Sequence, residues 1–117
     1  MDWATIFRAL GHPHRLALFR QLLEGPGDGS CCEAVAPGEN ACCVVDFTRR
    51  LPLAQSTISH RLQVLVAAGL VTVESRGPYS VYRLHEPTLE AFKAYVAQLR
   101  SCRTSASGPP VACWPEG

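Results

Sequence analysis

Six cysteines are the residues of this 117-residue chain that are best suited to chemistry. They form two adjacent pairs and two single residues: Cys31-Cys32, Cys42-Cys43, Cys102 and Cys113. Thiolates are soft ligands and select soft metal and metalloid ions over magnesium or calcium. Two thiols can also be joined by oxidation. The six thiols are therefore candidates for a metal or metalloid site, or for a redox switch.

The compartment decides between disulfides and the other uses of cysteine. The chain has no basic leader followed by an apolar stretch, and no apolar run long enough to cross a bilayer. We therefore expect a cytoplasmic protein with no membrane partner. In that reducing compartment, a high cysteine content indicates metal binding or redox sensing rather than structural disulfides.

Spacing leaves three alternatives beside a soft metalloid site. Structural zinc generally uses ligands about two to four residues apart, which adjacent cysteines do not match, and we group this reading with cadmium or lead sensing. A thiol switch by oxidation or persulfidation is the second alternative. The third is that some of the cysteines, Cys42 above all, are only small buried hydrophobic residues.

Apolar periodicity predicts the elements that would position these thiols. Predicted helices span 3–10, 14–23, 44–51, 55–68 and 87–100, and predicted strands span 71–75 and 80–84. A loop rich in Gly, Pro and acidic residues runs from residue 25 to about 41 and is longer than most loops in compact domains. We expect one mostly α-helical domain over residues 1–100, with a Cys-rich loop at 24–42 and a tail at 101–117.

The helix that starts at Gln55 is typical of a helix that reads DNA. Its apolar side is formed by Ile58, Leu62, Leu65 and Val66, and Pro52-Leu53-Ala54 provides the turn from the preceding helix. Its first turns carry side chains that can hydrogen-bond to base edges: Gln55, Ser56, Thr57, Ser59, His60 and Arg61. A two-stranded hairpin follows, and Arg76 and Tyr79 at its tip are candidates for phosphate or minor-groove contacts. The predicted fold is a winged helix-turn-helix.

Charge distribution supports a nucleic-acid partner although the net charge is only +1. Residues 44–85 carry five arginines against Asp46 and Glu74, whereas residues 24–39 carry four acids and no Lys or Arg. An enzyme is the competing class, but Ser56, His60 and Asp46 lack the strained turn and the oxyanion donors that a hydrolase triad requires. A winged helix that binds no DNA is a further alternative, and it would show no salt-dependent promoter binding.

Five segments together resemble the ArsR/SmtB family of metal- and metalloid-responsive bacterial repressors. They occur in the family's order and at its spacing, and they fall within residues 3–100: Arg8-Ala-Leu-Gly-His-Pro-His-Arg-Leu16, Cys43-Val-Val-Asp-Phe47, Gln55-Ser-Thr-Ile-Ser-His-Arg-Leu62, Ala68-Gly-Leu-Val71 and Tyr82-Arg-Leu84. The resemblance implies a homodimer that binds double-stranded operator DNA, represses its own operon and dissociates when an inducer binds. The apolar spacing of Leu89, Phe92, Val96 and Leu99 is consistent with a helix in the dimer contact.

Two departures from the family bear on the inducer. The last helix contains no histidine, so the zinc site that the family builds there is not expected. Arsenic-type members carry Cys-Val-Cys-Asp, whereas this chain has Cys43-Val44-Val45-Asp46 and keeps only the first cysteine. We expect a relocated thiol site drawn from the six cysteines, with As(III), Sb(III) or a methylated trivalent arsenical as inducer and no organic cofactor.

Overall fold

The structure is a computed structural model that describes residues 2–25, 35–36 and 38–101. Within that part of the chain, the helices are Trp3–Leu10 (α1), Pro13–Glu24 (α2), Val44–Thr48 (α3), Gln55–Ala67 (α4) and Glu86–Ala97 (α5). The strands are Cys42–Cys43 (β1), Val71–Arg76 (β2) and Tyr79–Leu84 (β3). The prediction of a mostly helical domain with a small β-hairpin is confirmed.

Local side-chain contacts explain where the first two helices begin and end. The Asp2 carboxylate accepts hydrogen bonds from the backbone N–H of Ala4 at 3.1 Å and from the Thr5 hydroxyl at 2.6 Å, which caps α1. Pro13 occupies the first turn of α2, where its missing N–H costs nothing. Arg15 Nε donates to the Ala9 carbonyl at 2.7 Å and so fixes the corner between α1 and α2.

The three strands form one antiparallel sheet with the order β1-β3-β2, with β1 before the helix-turn-helix in the chain and β2 and β3 after it. The hairpin of β2 and β3, here called the wing, was predicted, and it turns at Gly77 with φ +61°. Strand β1 was not predicted: Cys42 pairs with Tyr82 and Cys43 pairs with Val81. Two residues are too short to show an alternating pattern in a sequence, and this strand exists only because β3 lies beside it.

The core forms where α4 meets α2, α3 and the sheet. Ile58, Leu62 and Leu65 of α4 are fully buried, as predicted, and they join Phe47 and Leu18 in one cluster. Residues on three different elements thus fix how α4 lies on the rest of the domain.

Helix α5 ends at Ala97, three residues before the predicted end. The apolar positions predicted for it divide into two groups. Leu89 is buried and Phe92 packs on α1, where its ring centroid lies 5.5 Å from that of Phe7. Val96 and Leu99 stay exposed. Half of the predicted dimer-contact positions are therefore used within the chain.

The two ends of the long segment between α2 and β1 lie against each other. Gly25 ends α2 with φ +79° and ψ −170°, a conformation that residues with a Cβ rarely adopt. A Cβ at this position would lie 2.4 Å from the Asn40 side-chain oxygen. Asn40 comes directly before the buried Ala41 and β1, so α2 and β1 are held close together.

None of the helices in the described part of the chain has the length and apolar character that a membrane span requires.

Candidate functional site

Helix α4 presents one polar face to solvent. Ile58, Leu62 and Leu65 bury the opposite face, and this orientation is enforced by the core. Four side chains at helical spacing on the outer face, here called the outward stripe, are exposed or half-buried: Ser56, Ser59, His60 and Gln63. Hydroxyl, imidazole and amide groups at this spacing can contact base edges along a groove.

The structure separates the predicted DNA-contact residues of α4 by exposure. Gln55, Ser56 and His60 are exposed, whereas Thr57 and Ser59 are half-buried. Gln63 was missed by the sequence reasoning, which stopped at the first turns. The helical spacing could have indicated this residue, because Gln63 lies seven residues after Ser56 and therefore on the same face of the helix.

Arg61 lies on the side of α4 that faces the corner between α1 and α2. Its Nε is buried with no hydrogen-bond partner among the described residues. Partial burial, followed by the positive charge of Arg61, lowers the pKa of His12 below its ordinary value. His12 Nδ1 also accepts the backbone N–H of His14 at 3.1 Å, so His12 caps α2. Arg61 is therefore half-buried, and the stem of its side chain is partly covered.

The arginines of the wing are held by carboxylates of the same chain. Arg76 donates to both oxygens of Glu39, at 2.7 and 2.6 Å, and to Glu74 at 2.9 Å. Arg83 also donates to Glu39. These contacts raise the pKa of Arg76, and the hydrogen bond from Arg76, helped by one from the backbone of Ala36, lowers the pKa of Glu39 to about 2. The acidic and basic segments that the sequence separates are thus joined in space.

Tyr79 starts β3 at the tip of the wing and is exposed, as a residue that contacts DNA would be. Tyr82 is buried opposite Cys42. The predicted wing residues Arg76 and Tyr79 lie opposite each other in the register of the hairpin.

Cys42 and Cys43 point to different sides of the sheet. Cys42 belongs to the main core with Phe47 and Tyr82, whereas Cys43 belongs to a small second cluster with Val35, Ala41 and Val81. Successive side chains of a strand face opposite ways, which explains the division.

The two thiols have different surroundings. Burial, followed by the negative charge of Asp46, raises the pKa of the Cys42 thiol to about 12. Cys43 is the N-cap residue of α3, and its backbone N–H donates to the Asp46 carboxylate at 3.0 Å. Asp46 is buried in this role. A hydrolase triad of Asp46 with Ser56 and His60 is therefore not formed.

The other four predicted thiol ligands, Cys31, Cys32, Cys102 and Cys113, lie outside the described residues. Within the described part, no group of three or more His, Cys, Asp or Glu side chains is placed to hold a metal ion. The thiol site stays a prediction, with Cys42 and Cys43 as its described members.

Comparison with known proteins gives related sequences and related folds. Residues 37–73 match the model of a family described as bacterial regulatory protein, arsR family. The chain is 30% identical over 89 residues to the uncharacterized HTH-type transcriptional regulator YbzH of Bacillus subtilis (strain 168), covering 76% of this chain and 89% of that protein. It is 39% identical over 44 residues to the arsenical resistance operon repressor of Bacillus subtilis (strain 168), covering 38% and 42% of the two chains.

Among solved structures, the fold is similar to that of a possible transcriptional regulator for arsenical resistance. The TM-score is 0.58, the sequence identity is 26%, and the match covers 78% of this chain and 79% of the other.

Proposed function

This chain belongs to the arsR family of bacterial regulatory proteins, which are winged-helix transcription regulators and not enzymes, and we propose that it is a cytoplasmic homodimeric repressor released from its operator by a trivalent metalloid. The observation that carries the DNA-binding part is the outward stripe on α4, whose direction is fixed by Ile58, Leu62 and Leu65 beneath it. The wing beside α4 would reach the adjacent backbone or minor groove.

The homodimer is supported by apolar surface that the described chain leaves uncovered. Phe7 of α1 is 45% exposed, Val96 of α5 is 42% exposed, and Leu99 just after α5 is 59% exposed. Trp3 stacks on Tyr95 with ring centroids 4.6 Å apart, so α1 and α5 form one surface. Large apolar groups on one surface indicate a partner, and a second copy would place two copies of α4 for two operator half-sites.

The inducer is proposed from the thiols and from the relatives. Two similar proteins are named for arsenical resistance. Trivalent arsenic and antimony take up to three thiolates, and soft sulfur ligands favour them. We propose Cys31, Cys32 and Cys43 as the ligands, since Cys43 lies beside Val35, close in sequence to the first pair. Cys42 then serves in the core, and Cys102 and Cys113 are the alternative ligands that the sequence offers.

Binding at Cys43 would reach α4 through α3. Cys43 caps α3, and Phe47 of α3 shares the main core cluster with Ile58 and Leu62 of α4, against which α3 packs. A ligand that pulls the Cys43 sulfur toward a new partner would disturb the cap and shift α3 against α4. A coupling of about 1–3 kcal/mol would lower operator affinity by about 5- to 150-fold.

Titration of reduced protein on a labelled duplex from upstream of its own gene tests the proposal. We expect tight, salt-dependent binding, released by As(III) or Sb(III) and unaffected by peroxide. X-ray absorption of the arsenic complex should show sulfur neighbours only. Release by peroxide alone would favour the redox alternative, and release by Zn(II), Cd(II) or Pb(II) alone would favour the metal alternative; either result rejects the metalloid inducer.

Two sets of variants test which residues bind DNA and which bind the inducer. Replacing Ser59 and Arg61 together by Ala should abolish specific binding while the protein stays folded and dimeric. Cys43→Ala should keep DNA binding and lose release by As(III), whereas Cys42→Ala should keep both. Unchanged footprints in the first variant would reject α4 as the reading helix, and normal release in Cys43→Ala would reject the ligand set.

A further inference from the structure

The carboxylate of Glu39 accepts hydrogen bonds both from its own local turn and from the wing. One of its oxygens accepts from the backbone N–H of Ala36 at 3.0 Å and from Arg76 at 2.7 Å. The other accepts from Arg76 at 2.6 Å and also from Arg83. A carboxylate has about four acceptor positions, so Glu39 is saturated by these partners.

The partners of Glu39 lie on two different parts of the fold. Ala36 belongs to the segment before β1, whereas Arg76 ends β2 at the tip of the wing and Arg83 lies in β3. Glu39 is only 18% exposed at its side chain, against 57% for Glu74, which also contacts Arg76. Glu39 thus links the segment that leads to Cys43 to the wing through partly buried ion pairs.

The same arginines are suited to DNA. A guanidinium binds carboxylate and phosphate with the same paired N–H geometry, so one group can replace the other. In the structure, the charges of Arg76 and Arg83 are balanced by Glu39 and Glu74, and a balanced wing attracts a phosphate backbone weakly. A wing released from Glu39 gains one net positive charge.

We propose that Glu39 competes with operator phosphate for Arg76 and Arg83 and thereby couples the segment before Cys43 to the wing. In this arrangement, the structure has the wing in its low-affinity state. Operator binding exchanges the carboxylate for a phosphate, and any change that holds residues 38–41 against β3 favours release. The inference rests on the proposed DNA-binding function and adds to it the residue that sets operator affinity.

Glu39→Gln tests the competition, because it removes the negative charge and keeps the shape. We expect tighter operator binding at low salt and a plot of log affinity against log salt that is steeper by about 0.9, the value for one added phosphate contact. We also expect As(III) to lower operator affinity by a smaller factor than in wild type, because the route from Cys43 through α3 remains. Glu90→Gln is the matched control, since it makes the same charge change at an exposed pair with Lys93 on α5, away from the contacts of Arg76 and Arg83. The control should behave as wild type.

A second measurement tests the contact between Glu39 and the wing in the absence of DNA. Cys43 shares a cluster with Val35, Ala41 and Val81, so loosening this segment should expose its thiol. We expect Cys43 to react faster with iodoacetamide in Glu39→Gln than in wild type, as resolved by mass spectrometry, while Cys42 stays unreacted in both. Circular dichroism on the same samples shows that the fold is retained.

The outcomes separate the two proposals. If wild type does not bind the duplex, the proposed function fails, whatever the alkylation shows. If wild type binds and releases normally but Glu39→Gln has the same salt slope and release, the competition is rejected. Weaker binding by Glu39→Gln also rejects it, because Glu39 would then be orienting the arginines toward DNA.

Discussion

Cys42 and Cys43 are neighbours in the sequence, yet their side chains lie in two different clusters on opposite sides of the sheet. As long as β1 is paired with β3, the two thiols cannot bind one ion together. An adjacent pair of cysteines, which in the sequence indicates a chelate, here divides into one core residue and one residue beside the segment before β1.

Cys42 contributes to the free energy of unfolding as an apolar group. Cys42→Ser places a hydroxyl among the apolar side chains of the main core, and we expect a loss of about 1–3 kcal/mol. Cys42→Ala should cost less, because it removes the sulfur without adding a polar group. Urea unfolding in reducing buffer measures both. Equal stability of the serine variant and wild type would contradict the burial of Cys42.

Gln63 continues the outward stripe of α4 beyond His60, and we predict that it contacts DNA. If its amide hydrogen-bonds to a base edge, Gln63→Ala should weaken binding by about 1–3 kcal/mol and relax specificity at one base position. Gln98→Ala, an exposed glutamine after α5, is the matched control. Competition with single-base operator variants measures the change, and equal loss on every sequence would mean that Gln63 contacts only the backbone.

Gly25 is favoured by its backbone conformation, and the Asn40 side chain lies close to the position that a Cβ would take. Gly25→Ala places a Cβ 2.4 Å from the Asn40 oxygen in a backbone conformation that strongly favours glycine. We expect a loss of about 1–3 kcal/mol in the free energy of unfolding. Gly38→Ala is the control, because Gly38 has a similar φ of +82° with no atom within 4 Å. If the two variants were equally stable, the contact with Asn40 would carry no weight.

Leu99 tests the proposed dimer surface. Leu99→Asp adds a charge to an apolar side chain that is 59% exposed, so we expect weaker self-association and little change in the monomer fold. Sedimentation velocity at several protein concentrations measures the association. Leu16→Asp changes a similarly exposed leucine of α2, at 43%, and should leave the dimer intact. An unchanged dimer in Leu99→Asp would place the interface elsewhere.

Acid should break the contact between Glu39 and the wing only at low pH. The folded pKa of Glu39 is about 2, below its ordinary value of 4.5, so the carboxylate stabilises the fold fully above pH 4.5. That contribution is lost as the pH falls from 4.5 toward 2. Stability measured across this range should fall less steeply in Glu39→Gln than in wild type. Parallel curves would show that Glu39 has no depressed pKa.

The helices and the wing could be predicted because their signals are local. Apolar spacing gave α1, α2 and α4 nearly at their observed ends, and the two strands of the wing within one residue at the tip. The end of α5 was set three residues too late, since the apolar spacing continues to Leu99 after the helix stops. Strand β1 had no signal of its own, because its pairing partner is about 40 residues away.

The sequence by itself determined the winged helix-turn-helix and the face of α4 that turns to solvent, because both follow from short-range spacing of apolar and polar residues, and its five motif segments determined the resemblance to the family. Only the tertiary structure decided which charged side chains form ion pairs and which cluster each described thiol belongs to. The pairing of β1 with β3 brings Glu39 to Arg76 and Arg83, and it places the side chains of Cys42 and Cys43 on opposite sides of the sheet. Ion pairs and burial depend on distances in space between residues far apart in the chain, and composition or local spacing does not contain those distances.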